Sequence, residues 1–507
     1  MTPTITRRKF IESTALAGAL SAACTPVEEQ TADDRPNIIL LMGDDHAWDE
    51  TAYNGHPHLH TPVLDEMAAS GLRMDRFYSA HPTCSPTRGS VLTGRHPNRY
   101  GTFTPNWSMR PEEITVAQIL SDAGYACGHF GKWHVGTVKA GSPLNPGAMG
   151  FDEWLSHDNF FELNPVLSRN GAPPERIEGE SSEIVIDEAI RFIDKAKDSG
   201  RPSFTVVWFG SPHEPYSALE KDLALYDNLP ESYQEQSVRL TSNETGQPVE
   251  RPLGDVLRER YAEITAMDRS IGQLRDHLDS SGVRDNTLVW YCGDNGIPSS
   301  GRATTPFRGQ KGNVFEGGVR VPGVIEWPER LQGSRTTDVN SVTSDMLPTI
   351  CAAVGLPLPG RPIDGVNLLP LIDDQMTERS QPIFFWQYDT RHELAGDPEP
   401  YLDPAHQEGT TPLAKAMAGR FTRNFVNYRH PEVSEADFAG SRAVLDNRYK
   451  LILDTDGHEV ELFDMRADDA EKNDLSASQP EVVEKLKGEM RKWQESVLSS
   501  LTGADYS

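Results

Sequence analysis

The sequence predicts an α/β protein with a large, mostly parallel sheet sandwiched by helices, then a smaller C-terminal α+β subdomain of antiparallel sheet plus helix. Residues 37–42, 203–209 and 286–292 are short, almost unbroken apolar runs, the mark of strands buried on both faces. Segments of helical period lie between them, and strands alternating with helices build parallel sheets. Beyond about residue 370 the pattern changes to closely spaced β-like runs and one amphipathic helix.

The elements follow in order. Residues 1–35 read as an export signal and polar leader. Thr6-Arg7-Arg8-Lys9-Phe10-Ile11 resembles a twin-arginine signal, and a mildly apolar stretch runs from Ala15 to Ala23. Leu20-Ser21-Ala22-Ala23-Cys24 is an imperfect lipoprotein cleavage site, so membrane attachment is expected only through a lipidated Cys24, on an exported, periplasmic or cell-surface protein. Residues 36–370 then form the larger domain. Its opening strand, closed by Gly43, delivers Asp44 and Asp45 at its carboxyl end. Thr61 and Pro62 start a helix that Gly71 stops. The next two strands end in Ser211-Pro212-His213 and Gly293-Asp294-Asn295-Gly296. Leu257, Tyr261, Ile264, Met267, Ile271, Leu274 and Leu278 mark the helix between them. Ligands of such sheets gather beyond the carboxyl ends of the strands, so these three polar clusters are expected to converge.

Residues 371–507 form the second unit. Runs at 382–386, 443–446, 450–453 and 460–463 predict its sheet, 480–499 its covering helix, and the Gly-, Pro- and charge-rich stretch 392–412 a surface loop.

Composition narrows the function. The chain of 507 residues is 37% hydrophobic and 24% charged, as soluble enzymes are. No apolar run reaches the roughly 18 residues of a membrane span. With 48 Lys+Arg against 76 Asp+Glu, a formal charge of -28 argues against nucleic acid as a partner. Any anion site must therefore concentrate its cations locally. Cys24, Cys84, Cys127, Cys292 and Cys351 show no paired spacing, so neither a zinc site nor a disulfide framework is predicted. Cys127, Cys292 and Cys351 have apolar neighbours and read as buried small residues. Cys84 instead lies among Pro82, Thr83, Ser85 and Pro86.

Asp44, Asp45, Asp294 and Asn295 offer hard oxygen donors, which suit Ca2+ or Mg2+ rather than zinc. Either pair alone is equally an ordinary turn former. Their company decides. Cys84-Ser85-Pro86-Thr87-Arg88, continuing to Leu92-Thr93-Gly94-Arg95, resembles the signature of the type I sulfatases, with Thr87 where Ser is usual. Further matches follow in the family's order: residues 37–45, Gly131-Lys132-Trp133-His134, Ser211-Pro212-His213, 293–296, Gly309-Gln310-Lys311-Gly312 with 316–322, and the tail elements 449–452 and 461–464. The resemblance covers nearly the whole chain after the leader and implies an alkaline-phosphatase-like fold.

It also implies a chemistry. A formylglycine-generating enzyme oxidises the cysteine, here Cys84, to an aldehyde, and one Ca2+ is bound by Asp44, Asp45, Asp294, Asn295 and residue 84. The hydrated aldehyde carries two hydroxyls on one carbon, one to attack sulfur and one whose deprotonation expels sulfate. A plain Ser or Cys lacks the second. By the same resemblance Arg88 steadies the diol, His134 is the base, and Lys132, His213 and Lys311 hold the sulfate, with His213 or Lys311 protonating the leaving oxygen. These cations answer the charge problem of an acidic protein that binds an anion. The expected substrate is a sulfated carbohydrate, with His46, Trp48, Asn106, Trp107, His157, Asn159 and Glu214 as candidate contacts. Two rival readings are a phosphonate or phosphate monoester hydrolase of the same superfamily, and a non-catalytic surface lipoprotein that binds sulfated glycans.

Overall fold

The computed structural model describes residues 35–331, 333–394 and 398–506. The expected export signal and Cys24 lie outside them. Among the described residues no helix is long and apolar enough to cross a membrane.

The central sheet has ten strands: β1 (Asn37–Gly43), β2 (Leu72–Met74), β3 (Ala126–Lys132), β4 (Glu153–His157), β5 (Val166–Arg169), β6 (Glu175–Arg176), β7 (Ser203–Trp208), β8 (Thr287–Gly293), β9 (Gly323–Glu326) and β10 (Arg335–Thr337). Their order is β10-β2-β9-β8-β1-β7-β3-β4-β5-β6. The five strands from β8 to β4 are mutually parallel, and antiparallel pairings appear at both flanks. β1 lies at the centre, and its side chains divide by strict alternation. Ile38, Leu40 and Met42 pack on one face beneath α2 (Cys84–Thr93), α3 (Val116–Asp122) and α6 (Met346–Ala353). Ile39 and Leu41 pack on the other, beneath α1 (Pro62–Ser70), α4 (Ser181–Asp198) and α5 (Leu253–Ser280). Burial on both faces is what the unbroken apolar runs encode.

Some local expectations need correcting. Thr61 is the N-cap residue of α1 with Pro62 next, as expected, but the capping acceptor is Asp268 of α5, which accepts from the Val63 and Leu64 amides at 3.0 and 2.8 Å. Strand β3 escapes the sequence pattern because Gly128, His129 and Gly131 interrupt its apolar character. Gly131 is required there: its φ is +104°, and a Cβ would sit 1.9 Å from the Trp208 carbonyl oxygen of β7.

The C-terminal sheet runs β11 (Ile383–Trp386), β12 (Arg442–Leu445), β13 (Tyr449–Leu453), β14 (Val460–Asp464), antiparallel throughout. Val444, Leu451 and Leu462 face α7 (Pro480–Leu501) through Val483, Leu486 and Met490. The opposite face, with Phe385, Ala443, Ile452 and Phe463, packs on Tyr78, Val319 and Val342. Buried Lys450 crosses this seam to Glu316 and Glu471, each at 2.8 Å.

The stretch 392–412 is not simply a surface loop. Gln407 and Thr411 are buried, and Gln407 donates to Ser108 Oγ at 2.9 Å. Val426 bridges to Trp107, and Asn427 donates to the Tyr100 and Ser108 carbonyls at 2.9 and 2.7 Å. Asp158, following β4, accepts from the Thr410 and Thr411 amides and the Thr411 hydroxyl at 2.6, 2.8 and 2.8 Å. This returning segment carries a hairpin, Pro412–Met417 with Arg420–Thr422.

Gly131→Ala should lower the unfolding free energy by about 3 kcal/mol or more, since backbone atoms must move. Gly141, also left-handed at φ +81° but with open space around it, should lose only about 1 kcal/mol as Gly141→Ala. Urea unfolding of both variants checks this; equal losses would refute the packing argument.

Candidate active site

Four neighbouring parallel strands, β8, β1, β7 and β3, end along one edge of the sheet. Asp44 and Asp45 follow β1, and Asp294 and Asn295 follow β8. His213 lies in the turn after β7; Lys132 closes β3, with His134 two residues on. Cys84 is the first residue of α2 and Arg88 lies one turn further in. Lys311 comes from the loop between β8 and β9. That loop is tied down by its amide donating to the Ile297 carbonyl at 2.7 Å and by Gly312 donating to the Pro82 carbonyl at 2.9 Å. All the catalytic and metal-ligand candidates therefore meet in one place.

The cluster is charge-paired and mostly buried. Lys132 Nζ lies 2.6 Å from Asp44 Oδ2, and both side chains are fully buried. Arg88 Nη2 lies 2.6 Å from Asp294 Oδ2 and 3.5 Å from Asp44 Oδ1. Lys311 Nζ reaches Asp45 Oδ1 at 2.5 Å, and His213 Nε2 stands 3.7 Å from Asp45 Oδ2. Asn295 Nδ2 donates to Asp45 Oδ1, and the Asp45 amide to Asp294 Oδ1, both at 2.9 Å. The Cys84 thiol points at Asp45 Oδ1, 3.9 Å away. Asp45, His134 and Asn106 hold left-handed backbone at φ 61°, 58° and 71°. Such strain in non-glycine residues collects at functional sites. Removing one member of a buried pair of this kind costs about 3–5 kcal/mol, because the other charge is stranded.

Burial dominates the protonation of the cluster. It pushes Asp44 up to about 7 despite Lys132, with Asp294 crowding it further. For Asp45 burial also works upward, but Lys311, His213 and Lys132 outweigh it and hold the carboxyl below its usual range. Burial pulls Lys311 down, yet Asp45 and its neighbours hold the ammonium well above its ordinary value. The Cys84 thiol is pushed up to about 12 by burial, so as a thiol it is a poor nucleophile at neutral pH. Burial drives His134 well down, helped by Lys132 and Arg88, and drives His213 down despite Asp45. Both imidazoles are neutral near pH 7. His134 Nε2 is 3.0 Å from Asn106 Oδ1; with that nitrogen donating, Nδ1 keeps its lone pair, and Nδ1 has no hydrogen bond among the described residues.

The cluster fits a divalent cation. Ligand atoms of Asp44, Asp45, Cys84 and His213 all lie within 4.8 Å of one another. Asp44 Oδ1 and Asn295 Oδ1 are buried acceptors without a hydrogen bond among the described residues, as ligand atoms would be. The oxygen-rich donor set suits a hard cation.

The candidate substrate contacts divide. Asn106 holds His134, Asn159 Nδ2 donates to Asn106 Oδ1 at 3.4 Å, and Glu214 follows His213 at the rim. His157 is committed to the Pro412 carbonyl at 3.0 Å. His46 is buried between Tyr291 and the Glu50 carbonyl, Trp48 packs on Phe307 and Arg320, and Trp107 on Phe103 and Tyr428. Those three serve packing.

Sequence reasoning missed four residues. Phe160 stacks on His213 at 4.8 Å, and Phe425 meets the His134 ring edge-on at 6.2 Å. Lys415 Nζ pairs with Glu214 at 2.7 Å above Phe160, and Arg423 lies near His134. The aromatic pair Phe160-Phe161 beside Asn159 was a weak signal for the first; nothing local marks the others.

A protein-family model described as Sulfatase matches residues 36–356. The N-acetylgalactosamine-6-sulfatase of Canis lupus familiaris is 31% identical over 406 residues, 71% of this chain and 70% of that protein. Arylsulfatase A of Homo sapiens is 30% identical over 368 residues, 69% of this chain and 70% of that protein. Among solved structures, Ps i-CgsB in complex with k-i-k-neocarrahexaose superposes with a TM-score of 0.72 at 23% identity, covering 91% of this chain and 93% of that one. The match runs through every strand that feeds the charged cluster and through Cys84 itself, and with it the chain belongs to the sulfatase family and is a sulfuric ester hydrolase.

Proposed function

We propose that this sulfatase hydrolyses sulfate monoesters of a carbohydrate, with formylglycine made from Cys84 as nucleophile and one Ca2+ held by Asp44, Asp45, Asp294, Asn295 and residue 84. The observation that carries this is the position of Cys84: first residue of α2, 3.9 Å from Asp45, with Arg88, Lys132 and Lys311 paired around the same carboxylates. The names of the relatives support the substrate class, one being an N-acetylgalactosamine-6-sulfatase and one structure holding a neocarrahexaose. The leader motif supports export to the periplasm or cell surface, and lipid attachment would need Cys24.

A divalent cation held by Asp44, Asp45, Asp294, Asn295 and residue 84 would supply a Lewis acid, and the hydrated aldehyde would supply two hydroxyls on one carbon. The rest falls to side chains. Three carboxylates (Asp44, Asp45, Asp294) meet three fixed cations (Arg88, Lys132, Lys311), so the cluster is neutral by count before binding. The two charges of a bound divalent cation would give it a net attraction for a sulfate ester in surroundings that strengthen electrostatics. Lys132, Lys311 and His213 bind the sulfate oxygens. Lys311 keeps its proton and His213 lacks its second one, so Lys311 protonates the leaving oxygen, an alkoxide far more basic than an amine. His134, held by Asn106, takes at Nδ1 the proton whose removal releases sulfate. Arg88 fixes Asp294 and the Lys132 carbonyl beneath residue 84.

Cys84→Ala should cut hydrolysis at least about 10³-fold while sparing affinity for a sulfated sugar. Protein from a host without a formylglycine-generating enzyme should show an intact thiol by peptide mass spectrometry and no turnover; full activity with that thiol would defeat the mechanism. Chelated protein should gain thermal stability with Ca2+, about 2.7 kcal/mol at a hundred times Kd, and Asp45→Asn should lose most of that gain. No response to any divalent cation would contradict the metal assignment. Aryl sulfate should be turned over faster than the matching phosphate monoester and phosphonate ester; the reverse order would favour a phosphate or phosphonate hydrolase.

A further inference from the structure

We infer that Arg423 forms a second anion subsite, which recognises a carboxylate or further sulfate on the sugar that bears the scissile ester. The inference rests on the carbohydrate-sulfatase reading above.

Arg423 is half-buried, its Nε is enclosed, and its guanidinium has no hydrogen bond, ion pair or aromatic ring beneath it among the described residues. A guanidinium stays charged and presents a planar fork of five donors. Leaving it partly desolvated without an acceptor is costly unless a ligand supplies one. Three other buried arginines have carboxylate partners, Arg260 in Glu50, Arg379 in Asp345 and Arg99 in Asp364, and buried Arg110 lies over the Tyr401 and Tyr506 rings. In a chain of net charge -28, acidic partners are not scarce. Lys415, on the same hairpin, shows the contrast, being tied to Glu214 at 2.7 Å.

Its position is fixed and close to the chemistry. Two residues on, Phe425 packs against the His134 ring, and its amide donates to the Gln407 carbonyl at 2.8 Å. Behind Arg423 the chain is so close to Gly409 that a Cβ there would lie 1.9 Å from the Arg423 carbonyl oxygen. The neighbouring Thr410 and Thr411 are pinned by Asp158. The charge of Arg423 is felt at both His134 and Cys84. The scissile sulfate already has Lys132, Lys311 and His213 to hold it, so Arg423 is a specificity residue for a neighbouring anion.

The test compares matured wild-type protein with Arg423→Ala and Arg423→Lys. The substrates are an aryl sulfate, a monosulfated neutral sugar, a disulfated sugar and a monosulfated disaccharide containing a uronate. The wild type should prefer at least one doubly anionic sugar. Arg423→Ala should reduce that preference, as a ratio of kcat/KM to the aryl sulfate, about 10–100-fold, chiefly through KM, with Arg423→Lys restoring part of it. The arm that loses most names the anion as carboxylate or sulfate. An unchanged ratio, or an equal fall in kcat on every substrate, would overturn the subsite. If wild-type protein hydrolyses none of the sulfates, the functional reading fails separately. Calorimetric binding of the doubly anionic sugars to wild type and Arg423→Ala still decides the subsite, and equal affinities would overturn it.

Discussion

The mutual neutralisation of three carboxylates and three cations at one sheet edge is the constraint on which the rest depends. Asp44 and Asp294 are fully buried, Asp44 against Lys132 and Arg88 and Asp294 against Arg88. Those partners come from α2 and β3, and Lys311 from a distant loop, so the pairing demands that sheet, helix and loop be assembled together. The close β3–β7 approach that requires Gly131 is part of that assembly, since β3 ends at Lys132.

Much of this was legible in the sequence. Strands β1, β7 and β8 are visible because burial on both faces leaves an unbroken apolar run, and their polar ends read directly as site residues. The C-terminal sheet and α7 were equally plain. Strand β3 was not, because the packing that makes it a strand selects glycine, which looks like a breaker when read alone. Lys415 and Arg423 show why the rim was harder. They enter the site across hundreds of residues of chain, and no period or motif connects a lysine at 415 with a glutamate at 214. His46 and Trp48 misled for the opposite reason. Adjacent in sequence to Asp44 and Asp45, they turn away into packing.

The returning segment also changes how the C-terminal part is understood. Its sheet and helix form a layer packed on the larger unit, and the stretch from Pro400 to Tyr428 crosses back and is stitched to Trp107, Ser108 and Asp158 by backbone bridges and buried side chains. The charged cluster and the wall beside it are thus held by different parts of the chain and meet only in the folded state.

That division has a consequence for substitution. The residues of the charged cluster all lie between Asp44 and Lys311, on strand ends, one helix and one loop, where burial and pairing leave little freedom to change. The hairpin after Pro412 is anchored at its base by Asp158, while its tip answers to fewer packing demands. Side chains at that tip can therefore be exchanged at little cost to the fold, leaving the charged cluster untouched.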